Sequence, residues 1–259
     1  MIIVTLLFQA TQVPALFDEA VEAICDLFYA TRNSADYLDL IMEIYKGLEV
    51  MLGLVAKLIE DECDEDIRSV CRIFVEAGES YIEFIIRDLP KFRVILEGII
   101  RCSSYRNLEI AQLTFHFWWS LAERLTEEPG LEFSPDPAFA DIFLELVKIT
   151  VSHLRYPEES SQTAQEKEDF RSFRHEIGDC LKYCCKVIGE SRPLMFVLNC
   201  LQSYQLNLTQ RGSTSWQEIE SCLFALRAMG ANVNPMESQI LPEIMKILPS
   251  LPGNYRCDL

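Results

Sequence analysis

Histidine and cysteine are the residues of this chain that could most readily hold a metal ion or attack a substrate. The three histidines, His116, His153 and His175, show no HExxH spacing of a zinc protease and no nearby nucleophile motif. His116 falls in an aromatic-rich helical run, which predicts a partly buried packing residue. The sequence therefore predicts no catalytic residue among them.

The ten cysteines are spread through apolar runs, which in a chain of 259 residues predicts reduced core thiols and not a disulfide framework. Cys180 and Cys184 would share a helix face, with Cys185 beside them. A structural zinc site needs a second pair of ligands, and none is evident, so we predict no metal. No Gly-rich phosphate loop or GxSxG elbow occurs either, so we predict no cofactor and no enzyme activity.

Two further pairs of side chains could make specific contacts. Trp118 and Trp119 could stack on a ligand, although aromatic residues at helical spacing more often pack in a core, and we favour packing. Arg174 and Asp179 lie five residues apart, too far for an ideal ion pair on one helix face. We expect them to link neighbouring structural repeats instead.

Acidic residues outnumber basic ones by 40 to 23, which gives a formal net charge of -17. The resulting field repels nucleic-acid phosphates and anionic membranes and attracts basic proteins, so we predict no direct nucleic-acid or membrane partner. Two acidic clusters, residues 60–66 and 158–169, lie at proposed helix junctions. They could contact a basic partner, but we favour solvated segments whose carboxylates stabilise the N-terminus of the following helix.

Helical spacing of apolar residues runs through most of the chain, whereas glycine (10) and proline (11) are scarce. The clearest run predicts one helix over residues 108–125. Further helices are predicted near residues 36–59, 65–89, 91–101, 137–155, 170–188, 193–201, 219–229 and 236–248.

Capping patterns predict where three of these helices begin. Asp136-Pro137 and Asn234-Pro235 each place a side-chain acceptor before a proline, which is well suited to the first helical turn. Ser215 and Glu218 have the spacing of a capping box.

The first helices of successive pairs are expected near residues 14, 63, 106, 167 and 214. Most steps between these starts fall near the period of HEAT and armadillo repeats, and the longest step contains the polar residues 158–169. We therefore predict an all-α fold, a HEAT-repeat (armadillo-like) α-solenoid of stacked antiparallel helix pairs. It is expected to be one continuous segment over residues 1–259, with about five pairs.

Both ends of the chain look cut from something longer, because terminal solenoid repeats need a polar face and residues 2–8 are largely apolar. This apolar run lacks the basic region of a signal peptide. No stretch offers about 18 consecutive apolar residues, so we predict no membrane span. A cytosolic or nuclear compartment is expected.

Several local sequences follow one another in a distinctive order and spacing. They are Ala23-Ile-Cys-Asp-Leu-Phe-Tyr-Ala30, Val70-Cys-Arg-Ile-Phe-Val-Glu-Ala77, Ile110-Ala-Gln-Leu-Thr-Phe-His-Phe-Trp-Trp-Ser-Leu121, Asp169-Phe-Arg-Ser-Phe-Arg174 with Asp179 and Val187-Ile-Gly189, and Trp216-Gln-Glu-Ile-Glu-Ser-Cys-Leu-Phe-Ala225. Together they resemble the importin-β (karyopherin) superfamily, with the transportin-SR and importin-thirteen branch as first choice. The resemblance runs over nearly the whole chain.

The resemblance implies a receptor that moves protein cargo into the nucleus and releases it to the small GTPase Ran loaded with GTP. It implies basic cargo, in particular serine/arginine-rich splicing factors, and nucleoporins and Ran as partners of the full-length receptor in nucleus and cytoplasm. The family's main Ran-binding and cargo-gripping repeats would lie outside this chain, so no partner-binding residue is assigned. The alternatives are a HEAT-repeat scaffold of another multiprotein complex and, ranked last, an enzyme with an undetected site.

Overall fold

The structure is a computed structural model that describes residues 2–32, 35–126, 137–157, 163–211 and 215–250. Within these ranges the chain is helical and contains no β-strand. None of the helices found there combines the length and the apolar character that crossing a bilayer demands. The chain divides into two compact units, residues 1–138 and 139–259.

The first unit packs its helices in two layers. The helices are α1 (Ile2–Ala10), α2 (Phe17–Thr31), α3 (Leu38–Asp61), α4 (Asp64–Ser80), α5 (Ile82–Arg87), α6 (Leu89–Ser103), α7 (Leu108–Gln112) and α8 (Phe115–Thr126), with 3-10 turns at Pro14–Leu16 and Ala35–Tyr37. One layer contains α2, α4, α7 and α8, and the other contains α1, α3 and α6, with α5 packed against α6.

Polar contacts show how helices of one layer are aligned. The Tyr45 hydroxyl of α3 accepts from the backbone N–H of Val94 in α6 at 3.2 Å, and Arg101 of α6 donates to the Leu52 carbonyl of α3 at 3.1 Å. Both pairs are 49 residues apart. A constant separation along two helices means that they run parallel, one repeat apart.

The other layer of the first unit is aligned in the same way. Arg72 of α4 donates to Glu22 of α2 at 2.9 Å, and the hydroxyls of Thr31 and Tyr81 share a hydrogen bond of 2.7 Å. These pairs are both 50 residues apart. The helices α3 and α4, which belong to neighbouring pairs, are joined by only two residues and pack side by side, so consecutive helices run antiparallel here.

The second unit repeats this arrangement, with α10 and α12 in one layer and α11 and α13 in the other. Gln205 of α11 donates to Ser250, which follows α13, at 2.8 Å and a separation of 45 residues. The helices are α9 (Ala138–His153), α10 (Ala164–Ile188), α11 (Ser191–Arg211), α12 (Trp216–Met229) and α13 (Ile240–Ile247), with 3-10 turns at Gly230–Asn232 and Leu248–Ser250. The predicted all-α HEAT-type fold of stacked antiparallel helix pairs is confirmed. The single continuous segment of five pairs stays a prediction.

Within the described ranges, a phenylalanine ring of one helix lies over a glycine of a neighbouring helix at four places. A Cβ atom added to Gly98 of α6 would lie 2.2 Å from the ring of Phe74 in α4, and one added to Gly78 of α4 would lie 2.7 Å from the ring of Phe117. The same contact joins Phe8 to Gly47 and, less tightly, Phe224 to Gly178. We call these four pairs the phenylalanine–glycine contacts. They explain why residues of low helix propensity lie inside these helices.

Two helices that the sequence predicts as continuous are interrupted. The predicted helix 65–89 breaks at Tyr81 (φ -112°, ψ 19°), whose hydroxyl is bonded to Thr31. The predicted helix 108–125 breaks at residues 113–114, where the Thr114 hydroxyl donates to the Ala111 carbonyl at 2.7 Å. At Thr114 the side-chain hydrogen bond offers the backbone an alternative to the regular helix, which apolar spacing alone does not reveal. At Tyr81 the backbone bonds from Tyr81 to Ala77 and from Ile85 to Tyr81 remain at 3.0 Å, so only the backbone angles depart from the helix.

The capping box predicted at Ser215 is wrong. The Ser215 hydroxyl donates to the side chain of Gln217, and the backbone carbonyl of Ser215 accepts from the Glu218 N–H at 3.2 Å. A complete capping box lies instead at the start of α10, where Thr163 and Glu166 satisfy each other's backbone N–H groups at 3.2 and 2.7 Å.

The helix start predicted at Asn234-Pro235 is also wrong, because the Asn234 side chain accepts from the Met236 N–H at 2.9 Å and forms a turn. Helix α13 begins only at Ile240, and the Glu237 carboxylate accepts from the N–H groups of its first turn. For the third predicted start, Pro137 directly precedes α9, whereas Asp136 lies outside the described residues.

The phenylalanine–glycine contacts lead to a test with an internal control. Gly98→Ala should lower the free energy of unfolding, because crowding in a packed core costs about 1–3 kcal/mol and outweighs the gain of about 1 kcal/mol in helix propensity. Gly53→Ala, where a Cβ meets nothing within 4 Å, should instead raise stability by about 0.5–1 kcal/mol. Urea unfolding followed by circular dichroism measures both. If both substitutions changed the free energy of unfolding equally, Phe74 would not pack on Gly98.

Candidate protein-binding surface

The three histidines lie apart, each beside a different aromatic ring. The His116 side chain is 66% exposed, bonds to Glu79 at 2.8 Å and packs on Trp119, so the prediction that it is partly buried is wrong. His153 meets the edge of the Phe173 ring, and the exposed His175 meets that of Phe224. These side chains of α8, α9 and α10 therefore make ring contacts and, at His116, a hydrogen bond to Glu79.

Cys180, Cys184 and Cys185 are buried side chains of α10. Burial raises the pKa of Cys180 and of Cys185 to about 12, so both are neutral thiols at physiological pH. Among the residues that the structure describes, no group of three or more His, Cys, Asp or Glu side chains could hold a metal ion.

The tandem tryptophans have different surroundings. Trp118 is fully buried, and its indole N–H donates to the Ser103 hydroxyl at 2.9 Å. The Ser103 and Thr114 hydroxyls lie 2.9 Å apart, so this network ties α8 to the C-terminal end of α6. Packing is thus confirmed for Trp118. Trp119 is partly exposed beside His116.

Arg174 is a buried cation in the second unit, with only 3% of the residue exposed. It donates to both carboxylate oxygens of Glu220 at 2.6 and 2.8 Å, which joins α10 to α12 across 46 residues. Its guanidinium carbon lies 4.3 Å from the centre of the Tyr156 ring and 4.2 Å from that of Phe224. The predicted link between neighbouring repeats is therefore confirmed for Arg174, whereas Asp179 pairs with Lys182.

The acidic cluster at residues 60–66 contributes to the structure of the first unit. Asp64, in the first turn of α4, accepts from the Tyr105 hydroxyl at 2.5 Å and from the Asn107 amide at 2.8 Å. These hydrogen bonds, first that from Tyr105, hold the pKa of Asp64 below its usual value. Glu62 pairs with Arg106 at 2.8 Å. Asp64 lies in the first turn of α4, but its hydrogen bonds join α4 to residues 105–107 and do not cap the helix. Stabilisation of the following helix start by this cluster stays a prediction.

The second acidic cluster is described only in part, because residues 158–162 lie outside the described ranges. Glu166 belongs to the capping box of α10, and its bond with the Thr163 backbone N–H is the main cause that lowers its pKa. Asp169 accepts from Gln165 at 2.8 Å. Glu166 therefore stabilises the start of α10, and Asp169 makes a hydrogen bond within the same helix.

A groove of about 610 Å³ lies between α11 and the segment that leads into α13. Met195 (44% exposed) and Met236 (84% exposed) form its apolar surface, and Leu198 and Ile240 are buried beneath them. Its volume is within the range of about 300–1,000 Å³ that is usual for ligand sites. Methionine side chains adapt to many apolar shapes, so this groove can accept apolar side chains of a protein.

The charged groups at the edge of this groove already have internal partners. Glu237 accepts from the backbone N–H of Gln239 at 2.8 Å besides capping α13, and these backbone hydrogen bonds lower its pKa. Glu243 pairs with Lys246 at 2.5 Å, and Arg192 approaches Asp141 at 3.7 Å. The arrangement therefore favours apolar contact and not charge-driven chemistry. Sequence reasoning missed this groove because Met236 lay in a predicted helix.

The pair Arg174–Glu220 provides a test of how neighbouring repeats are joined. Glu220→Gln should destabilise the chain by about 2–3 kcal/mol, because it leaves a buried guanidinium without its counter-charge, although the partial exposure of Glu220 reduces the cost. Arg174→Met should cost less, since methionine fits among the aromatic rings.

Asp179→Asn is the matched control, since it removes an exposed ion pair within one helix and should change stability by less than about 0.5 kcal/mol. The free energies of unfolding in urea compare the three variants. If Glu220→Gln cost no more than Asp179→Asn, Arg174 would not depend on Glu220.

Comparison with known proteins identifies the family of this chain. Residues 60–153 match the profile of the second TPR domain of transportin-3 and importin-13. An uncharacterized protein of Schizosaccharomyces pombe is 36% identical over 272 aligned residues, which cover 98% of this chain and 28% of that protein. The mRNA transport regulator MTR10 of Saccharomyces cerevisiae is 31% identical over 245 residues, which cover 91% of this chain and 24% of that protein.

A solved structure of importin-13 in its cytosolic state matches with a TM-score of 0.78 over 96% of this chain and 32% of that one. At 17% identity this match shows a common fold. The chain spans about a quarter of the length of the curated relatives named above. Together, the resemblance of its helical segments, the profile match and the named relatives show that the chain belongs to the importin-β family, in the group of transportin-3 and importin-13.

Proposed function

We propose that this chain is a protein-binding segment of a nuclear import receptor, which carries protein cargo through the nuclear pore and moves between cytoplasm and nucleus. Its membership of the importin-β family is the observation that supports this proposal. The relatives are about four times as long, so contacts with Ran and with nucleoporins are proposed for a longer receptor of which this chain is one continuous solenoid segment.

Basic cargo, including proteins rich in arginine and serine, is the partner class that the charge of the chain supports. A net charge of -17 speeds association with cations and slows association with nucleic acids. Several carboxylates are occupied within the fold, as at Asp64 and Glu220, so the long-range field matters more than these groups. Binding and not catalysis is the proposed activity.

The groove between α11 and α13 is where we propose that apolar side chains of the cargo make contact. Its two exposed methionines offer apolar surface in a concave shape, which suits anchoring side chains better than the charged helix faces around it. Charge attraction would then bring the cargo near, and apolar contact would hold it.

The longer receptor should bind an arginine/serine-rich protein and release it when Ran loaded with GTP is added, whereas Ran loaded with GDP should leave the complex intact. Because a scaffold of another complex would not move cargo, the receptor should also accumulate labelled cargo in nuclei of permeabilised cells. Pull-down and fluorescence microscopy measure the two effects. A receptor that binds neither the cargo nor Ran would contradict the proposal.

Variants of the groove refine this experiment. Met195→Glu together with Met236→Glu should weaken cargo binding about tenfold, because charge in the groove removes an apolar contact worth about 1–2 kcal/mol. Met245→Glu is the control, since Met245 is 63% exposed on α13 and does not line the groove. Equal binding by both variants would rule out the groove while leaving the transport function intact.

A further inference from the structure

Two cysteines on facing helices of the second unit form a pair of neighbouring thiols. Cys200 lies on α11 and Cys222 on α12, and the two helices pack against each other. The two side chains are hydrogen-bonded to each other. Arg155 contacts Tyr204, one turn along α11 from Cys200, and Glu218, one turn along α12 from Cys222, so both cysteines face the same helix contact. Cys200 is partly exposed, whereas Cys222 is fully buried. Cys200 is therefore the residue of the pair that small solutes can approach.

Charged and polar groups from three segments surround this pair. Arg155, which follows α9, donates to the Tyr204 hydroxyl of α11 at 3.2 Å and pairs with Glu218 of α12 at 3.4 Å. The hydrogen bond from Cys222, followed by the charge of Arg155, lowers the pKa of Cys200 to about 7 despite burial and the opposing charge of Glu218. Donating that hydrogen bond raises the pKa of Cys222, so Cys222 keeps its proton. Cys200 is thus the thiol of the pair that loses its proton first.

The other described cysteines lack this combination. Cys71 and Cys102 also contact each other, but both are fully buried, and that contact together with burial raises the pKa of Cys102. Cys63 is exposed, and its thiol donates to the backbone carbonyl of Asp61 at 3.7 Å. Exposure, a nearby cation and a neighbouring thiol occur together at Cys200.

We propose that Cys200 and Cys222 are a peroxide-responsive dithiol, in which Cys200 is the attacking sulfur and Cys222 the resolving sulfur, and that oxidation closes a disulfide between α11 and α12. The Cys200 thiolate attacks one oxygen of hydrogen peroxide, so an S–O bond forms, the O–O bond breaks and hydroxide leaves. Cys200 becomes a sulfenic acid, two electrons having passed to the peroxide. The hydroxide takes up the proton that Cys200 had released to solvent.

The second step consumes the neighbouring thiol. The Cys222 sulfur attacks the Cys200 sulfenic sulfur, the S–S bond forms, and the S–O bond breaks. The departing hydroxide takes the Cys222 proton, so two thiols and one peroxide yield one disulfide and two waters. A disulfide here would fix the second helix of one pair to the first helix of the next. Reduction by a dithiol would restore the original state, as expected for a reversible redox site.

The test treats the folded chain with hydrogen peroxide, quenches free thiols with an alkylating reagent and maps tryptic peptides by mass spectrometry. We expect a cross-link between residues 187–211 and 212–227 that dithiothreitol removes. Its rate should increase with pH, because the thiolate attacks and the pKa of Cys200 is lowered. Cys63 and Cys257, the latter outside the described residues, are distinguished by their own peptides.

Two variants assign the roles of the sulfurs and of the cation. Cys222→Ser should accumulate Cys200 sulfenic acid, which dimedone traps, without a cross-link. Arg155→Gln should slow the reaction severalfold, whereas Arg171→Gln, which removes an exposed arginine paired within α10, should not. The wild-type cross-link tests the proposal even if Cys222→Ser folds poorly. Absence of the cross-link, or equal oxidation of the buried Cys71 and Cys102, would overturn it.

Discussion

The packing of a phenylalanine ring on a helical glycine is the contact on which the rest of this fold depends. Phe74 can lie over α6 only because Gly98 has no side chain, and Phe117 lies over Gly78 for the same reason. Such contacts leave no space for a side chain at the glycine, because protein interiors are close-packed. The spacing between neighbouring helices is thereby set by residues that apolar periodicity does not single out.

Polar contacts then fix the register of each layer. Tyr45 with Val94, and Arg101 with Leu52, join α3 to α6 at the same separation of 49 residues. In the second unit the buried Arg174 reaches Glu220 at a separation of 46 residues. Because a slip by one helical turn would leave buried polar groups without partners, these bonds select one alignment. The same alignment brings Cys200 of one pair next to the following helix.

The sequence predicts the class of fold well, because helical periodicity and repeat steps depend on local patterns. It fails at Tyr81, where the backbone angles depart from the helix, and at Thr114, whose hydroxyl bonds to the Ala111 carbonyl. It fails again at Ser215, whose hydroxyl bonds to a side chain and not to the helix backbone. A capping box could have been read at Thr163, which has a glutamate three residues later. The groove at Met236 could not have been predicted, because it depends on the turn in which the Asn234 side chain accepts from the Met236 N–H.

Many charged side chains of this segment are paired within the fold, so its net charge and the methionine groove are the features that would act on other proteins. The central claim is that the Phe74 ring can pack on α6 only because residue 98 is a glycine. A double-mutant cycle with Phe74→Ala and Gly98→Ala, measured by urea unfolding, tests it most directly. If the claim holds, the alanine methyl fills part of the cavity left by Phe74, so Gly98→Ala costs far less in that background. Additive effects of the two changes would contradict it.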